Sequence, residues 1–130
     1  MKEPPDRTII QTKNAPAAIG PYSQAILVGN TLYAAGQIGL VPESGELVGE
    51  DLESQTRQAL HNLQAVLEEA GFTMNDVVSV DVYLSDLNDY SAFNEIYAEY
   101  FLEGRPARGV VEVSRIPRDA KVEIKLVAVR

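Results

Sequence analysis

An arginine near the C-terminal end of this sequence has the setting of an anion-binding residue. Arg108 lies within "GRPARGVVEV", where it opens an apolar run that is typical of a β-strand. Its guanidinium is always charged and offers a planar fork of donors that fits a carboxylate, so one interpretation is a pocket for a small carboxylic acid. The alternative interpretation is an exposed arginine at the start of a strand, paired with an acidic residue.

Three further residues could complete such a pocket, and each also has a purely structural interpretation. Glu123 alternates with Lys121 and Lys125 on one face of the last strand. It could orient or deprotonate a water beside a bound ligand, or it could belong to a solvated charged face. Tyr22 follows a Gly-Pro turn in "IGPYSQ" and could either point its hydroxyl into a pocket or pack its ring. Gly36 inside a strand indicates a bulge or the close approach of a ligand to the backbone.

The composition argues against several other chemistries. The sequence has no cysteine and a single histidine, which excludes disulfides, thiolate nucleophiles and metal sites built from thiolates or histidines. No phosphate-binding glycine loop is present, and we expect no cofactor. The net charge of -8 opposes binding to a phosphate backbone, so we do not expect nucleic acid as a partner. His61 lies off the apolar stripe of its helix and is predicted to be a surface residue.

The length and the hydropathy predict one domain outside the membrane. The 130 residues, 45% of them hydrophobic, suffice for a single core. No run approaches the roughly 20 apolar residues of a membrane span, and the first residues lack the apolar stretch of a secretory signal, so we expect a cytoplasmic protein. The prediction is a single domain over residues 1–130, with residues 1–7 as a flexible N-terminal extension.

Hydrophobic periodicity predicts the order β-β-β-α-β-α-β-β. Residues 52–70 repeat apolar positions at helical spacing and are followed by Gly71 as a cap. A second helix follows Asn88 or Asp89, with aromatic residues at core spacing. Strands are predicted in "TIIQT", near residues 24–28 and 31–37 around a Gly29-Asn30 turn, and near residues 76–84, 108–113 and 121–129.

Two amphipathic helices can cover one face of a single mixed sheet, which predicts an α+β two-layer sandwich. In the fourth strand, alternation places four apolar residues on one side: Val78, Val80, Val82 and Leu84. The uncovered face would then carry more apolar surface than a small monomer usually exposes, from residues that include Val77, Tyr83, Val127 and Val129. We therefore expect the chain to form an oligomer, with clefts between subunits as natural ligand sites.

Several motifs follow one another in unbroken order from about Ile10 to Arg130: "NAPAAIGPYSQAI", "AGQI", "DLNDYSAFNEIYAEYF" and "RPARGVVEVSRIPRDAKVEIKLVAV". Together they resemble the RidA/YjgF family of reactive-intermediate (enamine/imine) deaminases. The resemblance implies a chorismate-mutase-like (YjgF-like) fold and a homotrimer. The implied reaction is hydrolysis of 2-iminobutanoate and 2-iminopropanoate, which derive from enamines released by pyridoxal-phosphate-dependent dehydratases, to 2-oxo acids and ammonia.

The resemblance also implies a set of site residues. The catalytic residues would be Arg108, Glu123 and Tyr22. Arg108 would also bind the substrate carboxylate, together with four further substrate-binding residues: Ala35, Gly36, Asn94 and Val110. Glu123 and the carbonyl of Val110 would position the water that attacks C2, and no metal would take part.

The sequence departs from the family pattern at four positions near this site: Ala35, Gly39, Gly109 and Val110. Ala35 and Gly109 stand where small hydroxyl residues are common, which could shift substrate preference or lower the rate. Gly39 stands where a proline is usual and is expected to loosen a loop. Two other functions stay open: a non-catalytic regulatory or chaperone-like trimer that binds small acids, and a ribonuclease or translation inhibitor, which the charge disfavours.

Overall fold

The computed structural model describes residues 6–130, and it confirms the predicted order of strands and helices. The helices are α1 (Leu52–Glu69) and α2 (Tyr90–Tyr100). The strands are β1 (Arg7–Ile10), β2 (Ala25–Val28), β3 (Thr31–Gln37), β4 (Val77–Leu84), β5 (Ala107–Glu112) and β6 (Val122–Val129). Residues 1–5 of the predicted extension lie outside the described residues, and Arg7 opens β1.

The strands form one mixed sheet in the order β1-β2-β3-β6-β4-β5. Neighbouring strands are antiparallel except β4 and β5, which are parallel because α2 carries the chain back between them. The main core lies between the sheet and the two helices and includes residues such as Leu63, Phe93, Val82 and Ile124. The predicted α+β class with a single mixed sheet is confirmed.

Helix α1 is capped at both ends, by Asp51 and by the predicted Gly71. The Asp51 carboxylate accepts a hydrogen bond from Ser54 N at 2.9 Å, and Gly71 adopts a φ of +82° while its N–H bonds Glu68 O at 3.0 Å. Six residues of the predicted stripe are buried: Thr56, Ala59, Leu60, Leu63, Val66 and Leu67. Within residues 6–130, neither helix has the length and hydropathy of a transmembrane segment.

The start of β4 differs from the predicted alternation. Val78 is 45% exposed, whereas Val77, which was expected on the uncovered face, is 2% exposed. The pairing of β4 with β6 shifts register between Val77 and Ser79, and such an irregularity turns the preceding side chains to the other face. The rest of the strand follows the prediction, with three buried residues: Val80, Val82 and Leu84.

The face of the sheet away from the helices stays open in the single chain. It presents exposed apolar side chains, with Tyr33 53%, Val111 51% and Val129 37% exposed. Side chains of neighbouring strands that stand in register share a face, so Tyr83 and Glu123 lie on this side too. The apolar open face expected from the sequence is therefore present, with Val78 in place of Val77.

Candidate functional site

Arg108 lies on β5 against three aromatic rings of α2. Its guanidinium carbon is 4.7 Å from the ring centroid of Tyr97, 5.7 Å from that of Tyr90 and 5.8 Å from that of Phe93. All three distances fall within the range of cation–π contacts. Arg108 Nη2 also donates a hydrogen bond to Tyr90 Oη at 3.2 Å. The rings and this bond hold a half-buried cation in place.

This cation has no acidic partner among residues 6–130. The ion pairs within 4.0 Å in that part of the chain join other residues, Arg57 to Glu53 and Glu99, and Arg115 to Asp119. The interpretation of Arg108 as a strand-start arginine paired with an acid is therefore wrong as far as residues 6–130 are concerned. Since a guanidinium has several N–H donors and Tyr90 accepts from one of them, the remaining donors are free for an anion.

Two buried polar atoms near Arg108 also have no hydrogen-bond partner among the described residues. They are Asn94 Oδ1 and Tyr97 Oη. Burial raises the pKa of Tyr97, against the lowering effect of the positive charges of Arg108 and Arg105, so its hydroxyl stays protonated at neutral pH. Buried polar atoms nearly always have a partner, so these two are candidates to hydrogen-bond a ligand or a water.

We call this cluster the arginine half-site, and it consists of Tyr90, Phe93, Asn94, Tyr97 and Arg108. A cleft of about 390 Å³ opens beside it, lined by Asn94, Tyr97, Ala98, Arg105, Pro106 and Arg108. Two predicted site residues, Arg108 and Asn94, are thus brought together around one cleft. The aromatic residues had been assigned to the core from their spacing, and their contact with the guanidinium was not predicted.

Glu123 lies on the open face of the sheet, directly beside Gly36. A Cβ atom added at residue 36 would collide with Glu123 Oε2 and stand 3.0 Å from its Cδ, so glycine leaves room for the carboxylate. The pairing of β3 with β6 shifts register between Ala34 and Gln37, which confirms the predicted bulge at Gly36. Burial raises the pKa of Glu123, and the charge of Lys125 opposes this rise.

The carboxylate of Glu123 faces a second cleft, of about 140 Å³. We call the lining around it the glutamate half-site, which consists of Tyr22, Gly36, Ile38, Arg118 and Glu123. Tyr22 borders this cleft with a 54% exposed side chain. Three predicted site residues, Tyr22, Gly36 and Glu123, are therefore brought together around it.

The turn before β6 contributes Arg118, which the sequence analysis did not single out. Arg118 and Asp119 both have positive φ, +63° and +54°, which is unusual for residues other than glycine. Arg118 Nη1 donates to Gly45 O at 3.1 Å, and Arg115 Nε donates to Asp119 Oδ1 at 2.6 Å. Two side-chain contacts thus support a strained backbone, a feature that is frequent at functional sites.

Buried amide side chains hold the loops around the glutamate half-site, and the sequence analysis missed them. Gln24 accepts a hydrogen bond from Thr12 N at 2.7 Å and donates to Pro16 O at 2.8 Å. Asn62 of α1 donates to Leu40 O at 2.9 Å. Gln55 donates to Gly49 O at 2.9 Å and accepts from Lys121 N at 2.8 Å. The available signal was the position of Gln55 and Asn62 among the apolar residues of the α1 stripe.

Gly39 does not act as a loosened loop. A Cβ atom at this position would lie 2.7 Å from the Cα and the carbonyl oxygen of Gln55, so the loop passes directly against the backbone of α1. Gly39 O also accepts from Val48 N at 2.9 Å. The glycine is required by this close approach, which corrects the expectation drawn from the missing proline.

The free edge of β5 carries the carbonyl group of Val110. Val113 N bonds Leu84 O across to β4 at 2.9 Å, and successive residues of a strand turn their backbone groups to alternate sides. The backbone groups of Val111 and Gly109 therefore face β4, while the carbonyl of Val110 faces the unpaired edge. It is available to a water molecule, as the family resemblance requires.

The remaining candidates lie in different surroundings. Ala35 is half-buried on β3, and its N–H bonds Gln24 O at 2.9 Å. His61 is exposed on α1, and its Nε2 lies 3.1 Å from Tyr100 Oη, outside both half-sites. Within residues 6–130, no three histidine, aspartate or glutamate side chains stand close enough together to hold a metal ion.

The two half-sites do not meet within one chain. Glu123 stands in register with Tyr83 on β4, which stands in register with Val111 on β5. Two strand spacings, roughly 10 Å, therefore separate Glu123 from β5. Arg108 also points to the helix-covered side and Glu123 to the open side, so a single chain cannot present both groups to one small ligand.

Comparisons with known proteins cover nearly the whole chain. The family described as Endoribonuclease L-PSP matches residues 12–130. A RutC family protein of Pyrococcus horikoshii is 55% identical over 122 residues, which span 94% of this chain and 97% of that protein. A Mus musculus protein named 2-iminobutanoate/2-iminopropanoate deaminase is 48% identical over 124 residues, which span 95% of this chain and 92% of that protein. The crystal structure of E. coli TdcF with bound serine has a TM-score of 0.90 at 40% identity, covering 95% of this chain and 98% of that one.

Proposed function

Since the chain belongs to the Endoribonuclease L-PSP (RidA/YjgF) family, we propose that it hydrolyses 2-imino acids to 2-oxo acids and ammonia. The proposed substrates, 2-iminobutanoate and 2-iminopropanoate, are those named for mammalian relatives of 44% to 48% identity. The observation that carries the proposal is the half-buried guanidinium of Arg108, which has no acidic partner among residues 6–130. A small carboxylate matches its charge and its donor geometry.

The proposed reaction needs both half-sites, and we assign them to neighbouring subunits of a homotrimer. The open sheet face supplies an apolar surface for association, and Arg108 of one subunit would then face Glu123 of the next. Light scattering should give a particle mass three times the 14.2 kDa of the chain. A monomeric particle that is fully active would contradict this arrangement.

In the proposed reaction, water adds to C2 of the imino acid. Arg108 binds the carboxylate, Glu123 accepts one proton of the attacking water, and the carbonyl of Val110 accepts a hydrogen bond from the hydrogen that the water keeps. The new C2–O bond forms as the electrons of the C=N bond move to nitrogen, which takes up the proton from Glu123. The carbinolamine then collapses: Glu123 transfers the hydroxyl proton to the amino nitrogen, the C2–N bond breaks as the C2=O bond forms, and ammonia leaves the 2-oxo acid.

The catalytic demand on this site is modest. Free imines hydrolyse in water without help, so the protein needs to position substrate and water and to move a proton. Positioning with general acid–base assistance is worth roughly 100-fold to 10,000-fold, which requires no metal or cofactor.

The decisive experiment follows the decay of the transient imine released by a purified dehydratase from serine or threonine. The protein should accelerate this decay, and Arg108→Ala should lower kcat/KM about 100-fold or more, because charge-assisted bonds to the carboxylate are lost. Arg57→Ala is the matched control, since it removes an arginine whose ion pairs lie on the helix surface.

The possible outcomes separate the proposed enzyme from a binding protein. Acceleration that is lost in Arg108→Ala and kept in Arg57→Ala supports the deaminase. Decay no faster than in buffer overturns it, and binding of 2-oxobutanoate without acceleration would favour a trimer that senses small acids.

A ribonuclease is less well supported, although the family description names an endoribonuclease. The one histidine lies outside both half-sites, and the net charge of -8 opposes RNA binding. RNA cleavage by the purified protein that is lost in Glu123→Gln would contradict the proposed function.

A further inference from the structure

The hydroxyl group of Tyr90 makes a contact to Arg108 that no step of the proposed reaction uses. Tyr90 is the first residue of α2, and its side chain is 40% exposed at the edge of the arginine half-site. Its oxygen accepts the hydrogen bond from Arg108 Nη2 at 3.2 Å, and its ring centroid lies 5.7 Å from the guanidinium carbon. Tyr90 thus touches the cation through both its ring and its hydroxyl.

The surroundings of Arg108 leave its guanidinium few ways to turn. The rings of Tyr90, Phe93 and Tyr97 surround its carbon at 4.7 to 5.8 Å and restrict where the group can move. They do not fix its rotation within its own plane, because ring contacts are weakly directional. The hydrogen bond to Tyr90 Oη is directional, and it is the one side-chain hydrogen bond of Arg108 among residues 6–130.

We propose that Tyr90 is a positioning residue. Its hydroxyl oxygen accepts a hydrogen bond from Arg108 Nη2 and so determines which edge of the guanidinium meets the substrate carboxylate. The edge left free then faces the cleft lined by Asn94, Tyr97 and Arg105. This inference rests on the proposed function, and it assigns to Tyr90 the orientation of the carboxylate receptor rather than contact with the reacting atoms.

The ionisation of Tyr90 provides a second consequence of the same contact. The Asn94 side chain and the charge of Arg108 lower the pKa of Tyr90 below its usual value of 10.0. Arg108 is the charged group that shifts it, and Asn94 is neutral. Once Tyr90 loses its proton, its negative charge pairs with Arg108 and repels a carboxylate. Carboxylate binding should therefore weaken at alkaline pH, and the hydroxyl of Tyr90 should be the cause.

The test compares Tyr90→Phe with wild type and with Tyr100→Phe. Tyr90→Phe keeps the ring contact and removes the hydroxyl. Tyr100→Phe removes a hydroxyl that contacts His61 on the outer surface, away from both half-sites, and serves as the matched control. The measurements are the Kd of 2-oxobutanoate, a stable product, across the alkaline range, together with kcat and KM for the imine and the Tm of each variant.

We expect Tyr90→Phe to raise both the Kd of 2-oxobutanoate and KM by about 5-fold to 10-fold, the loss typical of one hydrogen bond on a partly exposed group. kcat should stay within about 2-fold of wild type, because uniform binding is lost rather than transition-state stabilisation. The alkaline weakening of wild-type binding should disappear in Tyr90→Phe and persist in Tyr100→Phe.

Three results would overturn the positioning role. An unchanged Kd in Tyr90→Phe would show that the hydroxyl does not orient Arg108. If Tyr90→Phe lowers kcat, binding affinity and Tm together and keeps the alkaline weakening, the hydroxyl only supports the fold. If wild type fails to bind 2-oxobutanoate at all, the proposed function fails together with this inference, whereas the first two results leave the proposed function intact.

Discussion

The arginine half-site and the glutamate half-site are built in opposite ways. Arg108 and the aromatic residues around it lie on a regular helix and a regular strand, and one chain supplies the three ring contacts and the hydrogen bond to Tyr90. Glu123 instead stands beside a bulge, under a turn with two positive φ values, and its neighbour Tyr22 is 54% exposed. For the proposed reaction we infer that each subunit forms its carboxylate-binding site by itself, whereas water activation needs a second subunit to cover the open face.

Replacing Glu123 is expected to show the largest difference between the roles of the two half-sites. Glu123→Gln should lower kcat of imine hydrolysis about 100-fold or more, because the general base is lost, while the Kd of 2-oxobutanoate changes less than about 3-fold. The exposed residue Glu69 at the end of α1 provides the control Glu69→Gln, which should retain full activity. Equal losses of binding and rate in Glu123→Gln would mean that binding and catalysis are not assigned to separate half-sites.

The pH profile sharpens the same comparison. Glu123 must be ionised to accept a proton, and burial raises its pKa above the usual value of 4.5. Activity should therefore fall as the pH drops through this raised pKa, and the acid limb of kcat/KM should lie above pH 4.5. The limb should be absent from the residual activity of Glu123→Gln. An unchanged limb in that variant would assign the titration to another group.

Mixing two inactive variants tests whether one site draws on two chains. In mixed trimers of Arg108→Ala and Glu123→Gln, a site is intact when one subunit supplies the arginine and its neighbour the glutamate. Random assembly makes about a quarter of the sites intact, so co-expression should restore roughly a quarter of wild-type activity. Trimers of the double variant Arg108→Ala/Glu123→Gln alone are the control, because they contain no intact site. No recovery in verified mixed trimers would place both groups of a site in one chain.

The sequence was sufficient to predict the elements that carry both half-sites. The apolar repeat of α1 and its C-terminal cap Gly71 are local signals, and the structure retains them. The Gly29-Asn30 turn likewise sets the pairing of β2 with β3, in which Val28 stands opposite Thr31. Such elements follow from residues close together in the chain, which is why periodicity found them.

Features that depend on contacts between distant residues were not predicted. The aromatic spacing of α2 indicated a core face, and nothing local shows that Phe93 and Tyr97 also surround a cation from β5. The register shift that buries Val77 and exposes Val78 is set by pairing with β6. The placement of Arg108 and Glu123 on opposite faces follows from strand register, which pairs Arg108 with the buried Val80 and Glu123 with Tyr83 and which alternation along each strand does not determine.

Gly36 of the glutamate half-site and Gly39, which follows Ile38 of that half-site, give the smallest effects and the finest test of the comparison. A methyl group at Gly36 meets the carboxylate of Glu123, the far end of a flexible side chain, whereas one at Gly39 meets the backbone of Gln55 at 2.7 Å. Gly36→Ala should therefore displace the general base and lower kcat about 10-fold with little change in the free energy of unfolding. Gly39→Ala should instead lower that free energy by about 1 to 3 kcal/mol, because packed backbone must move.

Urea unfolding and imine decay, measured on both variants, separate these effects. Because the Glu123 side chain can move aside at little cost to the fold, Gly36→Ala should lose activity without losing stability. Gly39→Ala should lose stability. Stability loss in Gly36→Ala and activity loss alone in Gly39→Ala would mean that the Glu123 carboxylate is held rigidly and that the loop before α1 can move. In that case the glutamate half-site would be as preorganised as the arginine half-site, and its completion by a second subunit would no longer explain the difference between them.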